Sequence, residues 1–177
     1  MRVTDGLRHQ LVTREQQDIF DYWASLCETL GRFPTRHEIE PARIVKQLPF
    51  VSLFERCGDS RRFQVRLAGT GFWNFFGSEI TGRAIDDLPL GEGCAYWNRV
   101  LSHVSETALP MAGTTQPHTP IGSHLRQFWL RLPLATEDGQ DVGAVLGFDQ
   151  FLKAPTREPS RLMRPVFGHG TPLVAAV

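Results

Sequence analysis

At 177 residues, with 41% hydrophobic and 21% charged residues, the chain has the length and composition of one folded domain with appendages. A chain this size buries about 70% of the surface its unfolded form exposes, so its core needs neither disulfides nor a structural metal. Nineteen basic and nineteen acidic residues cancel, which removes bulk attraction to nucleic acid or an anionic membrane as a basis for function.

Thr13-Arg14-Glu15-Gln16 reads as a capping box. Ile19, Tyr22, Trp23, Leu26 and Leu30 recur at three- and four-residue spacing behind it, and Gly31 supplies a left-handed stop. The spacing predicts a helix over residues 14–30. Its apolar stripe, with Tyr22, Trp23 and Leu26, is more than an isolated helix keeps wet, and is expected to pack on a sheet or on a second subunit. Thr35-Arg36-His37-Glu38 is a second capping box, and Pro41 opens a short helix carrying Ile44, Val45 and Leu48.

Residues 50–55 form a strand, Cys57-Gly58-Asp59-Ser60 a turn, and Phe63, Val65 and Leu67 alternate with Gln64 and Arg66 along a second strand. Together they read as an antiparallel hairpin. A one-turn apolar face of Phe72, Phe75 and Phe76 follows, then a short helical turn at 84–88. Cys94, Trp97, Val100, Leu101, Val104 and Ala108 mark a longer helix. Strands are expected at about 111–116, 125–135 and 142–152, with a hairpin turn at Glu137-Asp138-Gly139-Gln140. In the middle strand Phe128, Leu130, Leu132 and Leu134 share one face, against Gln127, Trp129 and Arg131 on the other. From Lys153 onward prolines and arginines accumulate without periodicity, as in a mobile tail. The order suits an α+β domain, a five-stranded antiparallel sheet with helices packed on one face.

Several chemistries find no support. There is no Gly-x-Ser-x-Gly, phosphate loop, His-Glu-x-x-His or dinucleotide fingerprint. Asp86-Asp87 are neighbours on a helical turn, pointing about 100° apart, and form no carboxylate dyad. Asp149, the one acid in an apolar context, alternates with Phe148 and is expected at a sheet edge or facing outward. His118 and His124 sit in a Pro/Gly turn with no third ligand nearby, so no metal is expected. Arg66 and Arg83 are expected to be solvated or paired on the sheet rim. Cys27, Cys57 and Cys94 are far apart and odd in number, which suits reduced thiols and a cytoplasmic setting. No apolar signal segment or membrane-length apolar run occurs.

The passage Arg66-Leu67-Ala68-Gly69-Thr70 into Gly77-Ser78-Glu79-Ile80-Thr81-Gly82-Arg83 resembles the strand-to-helix passage of a PAS domain. Tyr22-Trp23-Ala24-Ser25-Leu26, Pro34-x-Arg36-x-x-Ile39-x-Pro41-x-x-Ile44 and Leu48-Pro49 extend the resemblance to stand-alone PAS proteins typical of alphaproteobacteria. It implies a PAS-like domain at 35–152, an N-terminal extension at 1–34 carrying the amphipathic helix, and a flexible tail at 153–177. It also implies a non-enzymatic sensory or regulatory role, exerted in trans on a signalling partner or through a homodimer, gated by a small apolar ligand. The ligand pocket of such a domain would be walled by Leu67, Phe75, Ile85, Trp97, Leu101, Phe128, Leu130, Leu132, Leu146 and Phe148. Tyr22, Trp23 and Leu26 are the expected interface.

The ligand itself is left unidentified. A flavin-thiol photoreceptor is disfavoured because residues 72–82 hold no cysteine, and haem is disfavoured because His103 lies off the apolar face of its helix. Neither nucleic acid nor membrane is expected as a partner. The alternatives are a small cavity enzyme of the proton-transfer isomerase type, which would need a buried proton-active group, and a ligand-free scaffold whose side chains fill the interior.

Overall fold

In the computed structural model, which describes residues 6–58, 62–117 and 124–153, helix α1 spans Arg14–Leu30. Gln16 donates its backbone N–H to Thr13 Oγ1 at 3.2 Å, and Gln16 Oε1 accepts the Thr13 N–H at 3.2 Å, closing the capping box. Gly31 ends the helix at φ +67°, donating to the Cys27 carbonyl. Three single 3-10 turns, Arg36–Glu38, Pro41–Ile44 and Leu48–Phe50, carry the chain to the sheet.

Strands β1 (Val51–Arg56) and β2 (Phe63–Ala68) pair antiparallel, followed by α2 (Gly71–Phe76), a 3-10 turn at Ile85–Asp87 and α3 (Gly93–Thr107). Strands β3 (Met111–Thr115), β4 (Leu125–Ala135) and β5 (Val142–Lys153) complete a five-stranded antiparallel sheet in the order β2-β1-β5-β4-β3. The α+β architecture is the one expected. The tail expected from residue 153 onward lies, from 154, outside the described residues, as does His118.

Both faces of the sheet are buried. Ile19, Phe20 and Trp23 of α1 pack with Leu130, Leu132, Leu134, Leu146 and Phe148 on one side, here called the outer face. Trp97, Val100, Leu101 and Val104 of α3 pack with Phe54, Val65, Trp129 and Val145 on the other, the inner face. Two hydrogen bonds fix α1 to β4: Gln16 Nε2 donates to the Trp129 carbonyl at 3.1 Å, and the Trp23 indole to the Pro133 carbonyl at 3.0 Å. Pro133 lies beyond the last β3 pairing, Met111 with Arg131, so that side of the strand loses no ladder bond to the missing N–H.

One irregularity moves a predicted residue. The β1–β2 register shifts between Leu53 and Phe54, so that Leu53 pairs with Leu67 but Phe54 with Val65. The extra residue, Arg66, breaks the alternation. Leu67 is 49% exposed rather than part of the buried face with Phe63 and Val65.

Candidate functional site

The register aligns Ser52, Gly147 and Arg131 across β1, β5 and β4, and sets Trp129 beside Asp149. By strand alternation these side chains share the inner face, beneath α3. The Arg131 and Asp149 side chains are only 3% and 1% exposed. Arg131 Nη2 donates to Asp149 Oδ1 at 2.9 Å, and Gln127 Nε2 donates to the same oxygen at 2.7 Å. Arg131 Nη1 donates to the Leu130 carbonyl at 2.8 Å and the Phe148 carbonyl at 3.3 Å.

Three aromatic rings enclose the guanidinium, with centroids at 4.7 Å (Trp97), 5.2 Å (Phe54) and 5.8 Å (Trp129). The negative faces of these rings help offset the loss of water around a buried cation. Gly147 permits the close approach: a β-carbon there would lie 2.3 Å from Ser52 Oγ and 3.3 Å from Arg131 Nη1. Tyr96 stands edge-on to Trp97 and Trp129, and burial pushes its hydroxyl up to about 12, with the nearby Arg131 charge opposing the shift. Tyr96 therefore stays protonated at physiological pH.

Four polar atoms of this cluster are buried with no hydrogen-bond partner among the described residues: Arg131 Nε, Asp149 Oδ2, Ser52 Oγ and Trp129 Nε1. Buried polar groups are almost always satisfied, so a concentration of four marks the site as chemically unfinished.

The ten expected wall residues divide between the two faces. Ile85, Trp97 and Leu101 belong to the inner core. Phe75 is buried and stacks on Phe151 at 4.2 Å, adjoining that core. Leu130, Leu132, Leu146 and Phe148 lie instead on the outer face under α1, and half-buried Phe128 follows their alternation. Leu67 is exposed. The most apolar sheet face thus meets α1, and the face with polar residues meets α3.

Asp149, expected at an edge or outward, is instead buried in the central sheet and paired to Arg131. Sequence reasoning did not single out Arg131, Gln127, Ser52 or Phe54 as site residues. The one available signal was α1 itself, whose stripe needed a sheet face of its own.

Of the expected interface, Trp23 is 2% exposed against the sheet. The Tyr22 hydroxyl accepts the Glu40 N–H at 2.8 Å, and Leu26 is half-buried. Cys94 Sγ lies 3.4 Å from the Ile85 carbonyl, a small residue at the edge of the inner core. His103 borders a surface groove with Asn98, Arg99, Ser102 and Glu106 on the other side of α3 from the core. On the rim, Arg66 lies 3.8 Å from Glu55, Arg83 donates to the Asp87 carbonyl, and Asp86 holds Arg62 and Asn98. No cluster of metal-ligating side chains occurs among the described residues, and no described helix is long and apolar enough to cross a membrane.

No curated protein sequence matches the chain. Solved structures do. VqmA bound to DPO superposes with a TM-score of 0.51 at 17% identity, covering 63% of this chain and 56% of VqmA. The Vibrio cholerae VqmA dimer, a LuxR-type receptor solved in the absence of its target DNA, gives 0.52 at 17% identity, covering 65% and 52%. The PAS domain of a protein from Colwellia psychrerythraea gives 0.47 at 14% identity, covering 63% and 96%. At such identities the VqmA likeness is one of fold, and the chain spans about half the length of the VqmA chains it matches. The PAS domain family matches residues 12–148, taking in all of α1 and all but the end of the sheet. The chain therefore belongs to the PAS domain family of sensory and regulatory modules, as its strand-to-helix passage and its sheet order suggest.

Proposed function

We propose that this PAS protein is a non-enzymatic sensor that relays a signal in trans, through a protein partner or self-association as a homodimer. The signal is gated by a small molecule held between the inner sheet face and α3. The observation that carries this reading is the Arg131–Asp149 cluster, a polar centre with unpartnered atoms inside an otherwise aromatic interior. A purely structural core gains nothing from leaving such groups unsatisfied.

The VqmA likeness supports a ligand and a dimer, since one VqmA structure holds DPO and another is a dimer. DNA binding is said of VqmA and is not part of this proposal. A reducing, cytoplasmic setting belongs to the same proposal, in keeping with the odd number and wide spacing of Cys27, Cys57 and Cys94. Catalysis gains no support from Asp149, because Arg131 and Gln127 both engage one of its oxygens.

A native mass spectrum recorded beside a denaturing one tests the reading. Extra mass that disappears on denaturation, on a two-subunit species, is the expected result. A clean protein mass that no added small molecule alters would replace the sensor with a ligand-free scaffold.

A further inference from the structure

The outer face of the sheet carries a row of leucines whose cover runs out. The register aligns Leu132, Leu146, Leu53 and Leu67 across β4, β5, β1 and β2, one residue per strand on the same face. Burial falls along the row. Leu132 and Leu146, in the core shared with α1, are 1% and 4% exposed, Leu53 is half-buried, and Leu67 is 49% exposed. The β1–β2 irregularity is what puts Leu67 there. With unbroken alternation it would join Phe63 and Val65 in the inner core. Moving a leucine from a core into water costs an isolated chain stability, so the row calls for a cover that one chain does not supply.

Two observations say what kind of cover fits. The edge of β2 is already taken: the Val65 N–H donates to the Arg83 carbonyl at 2.9 Å, the Val65 carbonyl accepts the Gly82 N–H at 2.6 Å, and Gln64 bridges to Ala84. A partner must therefore lie on the face rather than add a strand. The charges beside the leucines are balanced. Glu55, paired with Gln64 in the next outer-face row, is met by Arg36 at 3.0 Å and loosely by Arg66 at 3.8 Å, and Arg36 lies 3.7 Å from Glu137. An acidic segment would meet the two glutamates, a basic one the two arginines, and a lipid surface would strip water from all four.

A second copy of this chain matches both features. A two-fold axis parallel to the strands, between β1 and β2, lays β1 of each copy over β2 of the other. Residues paired across β1 and β2 then exchange, so that Leu53 faces the partner's Leu67, and Glu55 faces the partner's Gln64 and the partner's Arg66. Helix α1 does not block this approach. It stands on β4 and β5 with a thickness of about 10 Å, the spacing of stacked sheets, and so lies beside the other copy's β2 edge.

We infer that the outer face of β1 and β2 is a self-recognition surface, where two copies join with β1 over β2 through Leu53–Leu67 contacts and Glu55–Arg66 pairs. This rests on the reading that the protein self-associates, and it names the face that does so.

Native mass spectra of the full chain across a dilution series test it. The parent should be a dimer that dissociates on dilution. Leu67→Asp should weaken that dimer by about 100-fold or more, since each dimer loses two buried leucines. Because Leu67 is half exposed within one chain, the denaturation midpoint of the monomer should stay near the parent's. A charge exchange tests the strand arrangement. Arg66→Glu and Glu55→Arg each set like charges against each other across the axis, so either variant alone should be monomeric where the parent is a dimer. Mixed together, the two variants oppose unlike charges at both places and should form a heterodimer, identified by its mass.

A parent that stays monomeric at every concentration would overturn the inference and the homodimer reading together. A dimer that survives Leu67→Asp would sink the inference alone and leave self-association to another surface. Single charge variants that lose the dimer but form no heterodimer on mixing would rule out the β1-over-β2 arrangement. The mixing experiment decides whether or not Leu67→Asp folds.

Discussion

Arg131 and Asp149 hold each other in the sheet, and the energetics of such a pair are lopsided. Asp149→Asn leaves a buried guanidinium without its counter-charge, and a loss of about 3–5 kcal/mol of stability is expected. Replacing both with apolar residues of similar volume, Arg131→Met with Asp149→Leu, removes the desolvation cost together with the attraction, and should leave stability near wild type or raise it. Chemical denaturation of the two variants beside the parent measures this. Equal losses in both would mean that packing rather than charge holds the site. The pair was not legible from the sequence because an arginine and an aspartate on alternating strands look like the solvent-facing members of an amphipathic pattern. Their burial depends on β4 and β5 lying side by side, which the register shows and the linear pattern does not. Leu67 failed for a different local reason: one extra residue at the β1–β2 irregularity turned it outward, and nothing in an alternating sequence announces a bulge.

The elements themselves were read closely. The capping box at Thr13 and the stop at Gly31 fix α1 at the expected residues, and β4 falls where its alternation placed it. What escaped was the assignment of faces. Leu130 and Leu132 form the more apolar side of β4 and looked like the wall of a pocket, yet α1 claims that side. Between these elements, the turn at Arg36–Glu38 is held by charge. Arg32 Nη2 meets Glu38 Oε1 at 2.8 Å, and the Thr35 N–H meets Glu38 Oε2 at 2.8 Å. The Arg32 hydrogen bond first, then the Thr35 N–H, lower the Glu38 carboxyl from its ordinary 4.5 to about 2. Because the folded value lies below the unfolded one, the contribution to stability is fully present above about 4.5 and is lost as pH falls towards about 2. Glu38→Gln should therefore flatten the decline of stability across that acid window and leave the pH dependence above it unchanged, as denaturation at stepped pH would register. Gly69 is a steric requirement nearby: a β-carbon there would lie 2.1 Å from the Leu48 carbonyl oxygen. That contact is with backbone, which cannot swing aside, so Gly69→Ala should destabilise by about 1–3 kcal/mol through overpacking, read as a lowered denaturation midpoint.

At the scale of the whole molecule, the sheet is a partition between two cores, and α1 is one wall of the fold. The stripe on α1 could have been satisfied by the chain's own sheet or by a second copy. Trp23 is 2% exposed within one chain, donates to the Pro133 carbonyl at 3.0 Å and stacks on Phe33 at 5.8 Å. Both contacts are intramolecular, so Trp23 serves folding, and a homodimer would have to use other surface. Trp23→Ala should cost about 3–5 kcal/mol, the loss of a large buried ring, and Trp23→Asp more, because it also strands a charge between helix and sheet. Molecules of either variant that remain folded should keep the wild-type subunit count. Denaturation midpoints together with light scattering on the same samples separate the two effects. If Trp23→Asp left the midpoint unchanged but halved the mass, α1 would be lying on the sheet of a partner copy, and the outer core would be completed between molecules instead of within one.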